Sequence, residues 1–333
     1  MNKKYIIALT SIFILFIISF ILALMVGRYS INLQDFFNAI FTSNEVFDMH
    51  RSIILNLRLS RTIIAALTGI ALSLSGLLFQ ELFQNKLVSP DLLGVSNGAG
   101  VGAAIAIVLS LSTALVSLFA FIIAIGTVIS TIIFSKIFHN KSSSLLLLSG
   151  IIIGGFMSSL LSMIKYFANP ETQLSDITYW LMGSFADSTA SEVLILGIIV
   201  LICLTVLLCI RWRINVVALG KEEAQSKGIN YTFYRTVIII IATILTATSV
   251  AFSGTISWVG LVIPHIVRLI TGKNTSKSIP LTAAFGGVFM IIVDIISRSF
   301  TTSEIPLSAV TGLFGTVIFV GLIFINRRKY HEY

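Results

Sequence analysis

The chain has 333 residues, of which 56% are hydrophobic and 11% charged, with 22 Lys+Arg against 14 Asp+Glu and a net charge of +8. A soluble domain carries roughly 25% charged residues to keep its surface wet, so this composition excludes a water-soluble globule and makes the bilayer the solvent. The basic excess sits in short segments between apolar runs, as in membrane proteins with positive inner loops, and no basic run interleaved with aromatics offers a nucleic-acid surface.

Ten apolar runs, bounded by charge, Pro or Asn/Gly/Ser clusters, read as spans near 5–26, 62–80, 92–110, 113–135, 145–165, 191–210, 236–253, 257–270, 279–297 and 306–326. The first follows Lys3 and Lys4, is longer than a signal-peptide core, and has no clear small-x-small cleavage site, so it reads as an uncleaved span. Residues 27–61 are too long for a turn, and Asp35 to Ile40 predicts an amphipathic helical turn or two. Gly94, Gly98 and Gly102 recur every four residues at the third span, and Gly150 and Gly154 form a similar pair on the fifth. Such small-x-x-x-small stripes let helix backbones touch; close packing and lining of a pathway are both open readings. In 166–190, Tyr179-Trp180-Leu181-Met182-Gly183 suits an interface helix.

Cys203 and Cys209 on the sixth span point about 120° apart on a helix and cannot bridge within it. The polar segment 211–235 spaces Ala218-Leu219-Gly220, Ala224 and Gly228 as a helix pair that Gly220 and Gly228 end or turn. The third and eighth runs are short or Gly/Pro-interrupted, and Pro264 is predicted to break or kink the eighth.

With the N-terminus inside and ten crossings, sixteen basic residues fall inside and six outside, Arg58, Arg61 and Arg298 among the six. The expected fold is all-α: one polytopic membrane domain over 1–333, about ten transmembrane helices, both termini cytoplasmic. No G-x-x-x-x-G-K-[ST] loop occurs; Gly220-Lys221-Glu222 and Gly272-Lys273-Asn274 both fail the pattern. There is no H-E-x-x-H, and His50, His139, His265 and His331 are scattered singly, so no catalytic residue, metal or cofactor is expected. The centres of the ten runs carry no Asp, Glu, Lys or Arg, the groups that couple carriers to ion gradients. A partner ATPase on the cytoplasmic face is the expected energy source. A carrier driven by an ion gradient is the alternative from another class.

Six ordered segments carry a family resemblance: Leu57 to Thr62, Gln80 to Gly102, Tyr179 to Phe185, Ala218-Leu219-Gly220 with Ala224 and Gly228, Gly260 to Arg268, and Asp294 to Arg298 followed by Glu304 to Leu307. In these the chain resembles the FecCD-type permeases, the membrane subunits of ABC importers for iron–siderophore complexes, haem and cobalamin. The resemblance runs from about residue 55 to the C-terminus and departs from the family at Ser60, often Pro there. It implies a multi-pass protein of a bacterial cell membrane that performs no covalent chemistry. Its implied partners are a second permease subunit, identical or related, two cytoplasmic ATP-binding subunits, and an extracellular or periplasmic substrate-binding protein. It implies that Arg58, Arg61 and Arg298 receive acidic residues of the binding protein, beside the plainer readings of headgroup anchoring or local ion pairing. It also implies that the Ala218–Gly228 segment fits a cleft on the ATPase and that spans five and ten flank the central dimer axis. Iron(III)–siderophore is the first expected substrate, then haem and cobalamin.

Overall fold

The computed structural model describes residues 3–330 apart from 28, 30, 42–46, 138–142, 273 and 302. Lys273, His139 and His331, named above, lie outside the described residues. Helix α1 (Lys3–Met25) leads to the short amphipathic α2 (Leu33–Phe41), which buries Phe36 and Ala39 as its spacing predicts. Helix α3 (Asp48–Ser52) runs through a π-helical turn, Ile53–Arg58, into α4 (Leu59–Leu82). A 3₁₀ turn at Pro90–Leu93 precedes the short α5 (Val95–Val108), then α6 (Thr113–Ile137), α7 (Ser143–Phe167) and the interface helix α8 (Gln173–Met182). Helix α9 (Ala190–Val217), opened by a Thr189–Glu192 capping box, is followed by α10 (Lys221–Ser226) and α11 (Tyr231–Ser253). The short α12 (Val259–Thr271), α13 (Thr275–Ser299) and α14 (Leu307–Tyr330) complete the fold.

Among the described residues, eight helical runs, α3 to α4 counted as one, are long and apolar enough to cross a membrane, and α5 and α12 are shorter apolar helices at the third and eighth predicted spans. Burial separates a hub from a periphery: the α3–α4 window is 83% buried and α11 72%, against 17% for α1, 22% for α7 and α9, and 28% for α14. Helix α4 packs on α13, α11, α12 and α9. Water plays no part in that contrast, because lipid is as apolar as the core; α4 is central because its small residues let neighbours approach. A Cβ on Gly69 would lie 2.0 Å from the Gly286 carbonyl oxygen of α13, and one on Gly76 1.8 Å from that of Gly260 on α12.

The glycine stripe of the third span also packs inside the chain. A Cβ at Gly98 would meet Thr127 Oγ1 at 2.2 Å, and one at Gly102 the Phe119 carbonyl at 2.3 Å, both on α6. Gly94 is not a stripe position: with φ +80 it is the left-handed residue between the 3₁₀ turn and α5. A Cβ on Gly150 would lie 2.1 Å from the Leu92 carbonyl oxygen, and Gly154 faces Gly94; the open glycine on α7 is Gly155, where an added Cβ would have nothing within 4 Å.

Pro264 does not break its helix: α12 runs through it from Val259 to Thr271. The inner segment also differs from a helix pair. Helix α9 extends to Val217, a single short α10 follows, and Gly220 (φ +111) and Gly228 (φ +72) make the turns.

Candidate functional site: polar clusters at the two ends of the central helix

At the outer end of α4, five charged side chains converge from two regions distant in sequence, residues 58–61 and 294–304. The π-helical turn ends at Arg58, and Arg61 follows one helical turn later on the same face. Arg61 donates through Nε to Asp294 Oδ1 at 2.8 Å and through Nη1 and Nη2 to the two oxygens of Glu304 at 2.7 and 3.0 Å. Asp294 lies on α13 with its side chain 1% exposed, and its second oxygen is 3.3 Å from Arg298 Nε. Paired this way, the buried Asp294, the partly exposed Glu304 and the guanidiniums of Arg61 and Arg298 offset one another's desolvation.

Arg58 and Arg298 also hold the end of α1. Arg58 Nη1 donates to the carbonyls of Leu24 and Met25 at 2.9 and 2.7 Å, its Nη2 donates to Tyr29, and Arg298 Nη2 donates to Ala23. A helix leaves its last four carbonyls without partners and carries partial negative charge there; these two arginines satisfy both needs. All three arginines are buried, at 6%, 8% and 5% exposure. Local pairing, one of the plainer readings, is therefore present in the fold, and any partner's acid must reach guanidiniums that are already engaged.

At the inner end, Gln80 and Glu81 of α4 meet α12. Pro264 has no N–H for the carbonyl of Gly260, four residues earlier. Gln80 Nε2 supplies the missing donor, to Gly260 O at 3.3 Å and to Leu261 O at 3.2 Å. Its Oε1 accepts from Arg268, whose Nη2 also pairs with Glu81 Oε1 at 3.0 Å. The residue before the inner turn, Gln84 (φ +50), donates from Nε2 to the Ala218 carbonyl at 3.1 Å, fastening the end of α4 to the end of α9. Ala224 is fully buried, whereas Leu219 is half exposed. On the neighbouring 3₁₀ turn, burial pushes the Asp91 carboxyl upward, against the lowering effect of the hydrogen bond it accepts from Ser96.

A cavity of about 500 Å³ also opens on the outer side, between the α5–α6 turn, α8, α9 and the end of α11; Asp176, Asp187, Glu192, Tyr179 and Trp180 are among its lining residues. Among the described residues, no His/Cys/Asp/Glu group is placed to hold a metal ion.

Sequence reasoning singled out the three arginines but assigned no role to Asp294, Glu304, Gln80, Glu81 or Arg268, although each lies in a quoted segment. The available signal was charge placed at the ends of apolar runs, opposite in sign at matching depth.

The FecCD transport family matches residues 15–325. The chain is 34% identical over 318 residues to the molybdate import system permease protein MolB of Haemophilus influenzae, covering 95% of this chain and 94% of that protein. It is 33% identical to a probable iron chelatin transport system permease protein of Helicobacter pylori, covering 98% and 99%. It is 32% identical to the vitamin B12 import system permease protein BtuC of Citrobacter koseri, covering 96% and 94%. A solved inward-facing ABC transporter of metal-chelate type superposes with a TM-score of 0.87 at 33% identity, covering 95% of this chain and 98% of that one. These matches remove the gradient-driven carrier. The chain belongs to the FecCD transport family and is a multi-pass permease subunit of an ABC importer, whose ATP hydrolysis lies in separate subunits.

Proposed function

We propose that this permease imports a metal chelate, iron(III)–siderophore in the first instance, with haem or cobalamin as the next candidates. The observation that carries the reading is the similarity, over nearly the whole chain, to an iron chelatin permease and to a transporter of metal-chelate type. The exposed faces of α7 and α14 support it. They present Ile151, Phe156, Leu313 and Val317 to the outside of the subunit, and paired across a dimer axis they make an apolar corridor. A bulky chelate whose organic shell covers the metal and spreads its charge crosses such a corridor at less cost than a bare, strongly hydrated oxyanion such as molybdate.

In this reading two permease subunits enclose the corridor. A binding protein delivers the chelate to the outer face, at the cluster of Arg58, Arg61 and Arg298, and the Ala218–Gly228 segment meets the ATPase. Closure of the ATPases shifts the segment and the helices fastened to it as a rigid body. The test is ATP-dependent uptake by the reconstituted importer of iron-55 hydroxamate siderophore, cyanocobalamin, haem and molybdate. Accumulation of the siderophore complex is expected; exclusive accumulation of haem or cobalamin overturns the siderophore assignment, and exclusive accumulation of molybdate overturns the metal-chelate reading as a whole.

A further inference from the structure

Glu304 differs from every other member of the outer cluster. Asp294 is 1% exposed at the side chain and Arg298 6%, both fixed on α13, whereas the Glu304 side chain is 22% exposed. It sits in the link between α13 and α14, which is tied down by Ile305 N–H to the Ser297 carbonyl at 2.9 Å and by the Ser297 hydroxyl to the Ile305 carbonyl at 2.5 Å. Both oxygens of Glu304 lie on the end-on edge of the Arg61 fork. That edge is the one by which a guanidinium receives a carboxylate bidentately.

We propose that Glu304 is an internal stand-in for a carboxylate of the docking protein. It occupies Arg61 until an Asp or Glu side chain of the binding protein displaces it. This rests on the reading that the arginine cluster is the docking site.

Charge and burial set the logic of the exchange. Three guanidiniums face two carboxylates, so the cluster has room for one more negative charge. Withdrawing Glu304 alone leaves Arg61, 10% exposed at its side chain, with Asp294 as its remaining carboxylate partner and its two Nη donors short of acceptors, so the link stays closed by itself. An incoming carboxylate removes that penalty, because one carboxylate–guanidinium pair replaces another. The released link leads directly into α14. Two residues on from Ile305, the Leu307 N–H donates to the carbonyl of Gly183 at 3.1 Å, at the end of α8. Docking therefore removes one tie from the link that leads into α14, leaving those through Ser297 and Gly183.

The test uses the complete permease–ATPase complex in nanodiscs and its own binding protein carrying a fluorophore. Glu304→Gln removes the competing charge and is expected to tighten docking by about tenfold, within the ordinary span of coupling between sites; Glu304→Asp gives an intermediate value. A spin label on Ser303→Cys is expected to be restrained in the otherwise native complex and to gain mobility when the binding protein saturates it. An affinity unchanged by Glu304→Gln, or a label still restrained at saturation, overturns the stand-in. Arg61→Gln separates this from the underlying reading: docking weakened by Arg61→Gln but indifferent to Glu304→Gln leaves the docking site standing without the exchange. Docking indifferent to Arg61→Gln removes the site itself.

Discussion

Gln80 shows how one side chain answers a problem made by another far along the chain. The amide is fixed in orientation because both its ends are engaged, the nitrogen by the carbonyls of Gly260 and Leu261 and the oxygen by Arg268. Replacing it with Leu keeps the volume and deletes both functions, leaving a buried carbonyl and an arginine short of partners. A loss of roughly 1–3 kcal/mol is expected, read as a lower thermal midpoint of the detergent-solubilised complex; an unchanged midpoint refutes the role. Pro264 was legible as a defect in a helix, but its repair was not. The donor lies 180 residues away in sequence, and no local pattern pairs the two. Likewise the arginines stood out as rare outer cations, while their burial and their capping of α1 depended on which helix ends the fold brings beside them.

Among the helices, the hub position of α4 follows from two glycines that were not singled out. Gly69 and Gly76 are seven residues apart, two turns along one helix, and face the backbones of α13 and α12 respectively. A valine at Gly76 has no room against the Gly260 carbonyl, so Gly76→Val is expected to cost about 1–3 kcal/mol or more through overpacking. Gly126→Val on α6 is the control, because nothing lies within 4 Å of the added carbon. Equal loss of folded yield from both variants contradicts the packing account. The four-residue stripe was visible at Gly98 and Gly102 because its period matches a helix turn; that it faces α6 was not visible, since the same stripe serves any close neighbour. Gly94 shared the period by position only, and its left-handed backbone takes it out of the helix.

For the molecule as a whole, α4 links the outer charge cluster to the inner one, and through Gln84 to the segment that precedes α10. If that segment meets the ATPase, a crosslinker on Gln225→Cys, an exposed position of α10, joins the two subunits in the assembled importer. Modification of that cysteine by an impermeant reagent from outside the cell overturns the topology. Composition and run length alone determined the solvent and the all-α, multi-pass architecture of about ten apolar helices, because each depends on the transfer of local segments between water and lipid. The ordered segments determined the family. Which glycines touch, which arginines are engaged, and which carboxylate of the cluster is the more exposed were decided only by tertiary structure. Those contacts join residues hundreds of positions apart, and their energy comes from geometry that no single segment contains.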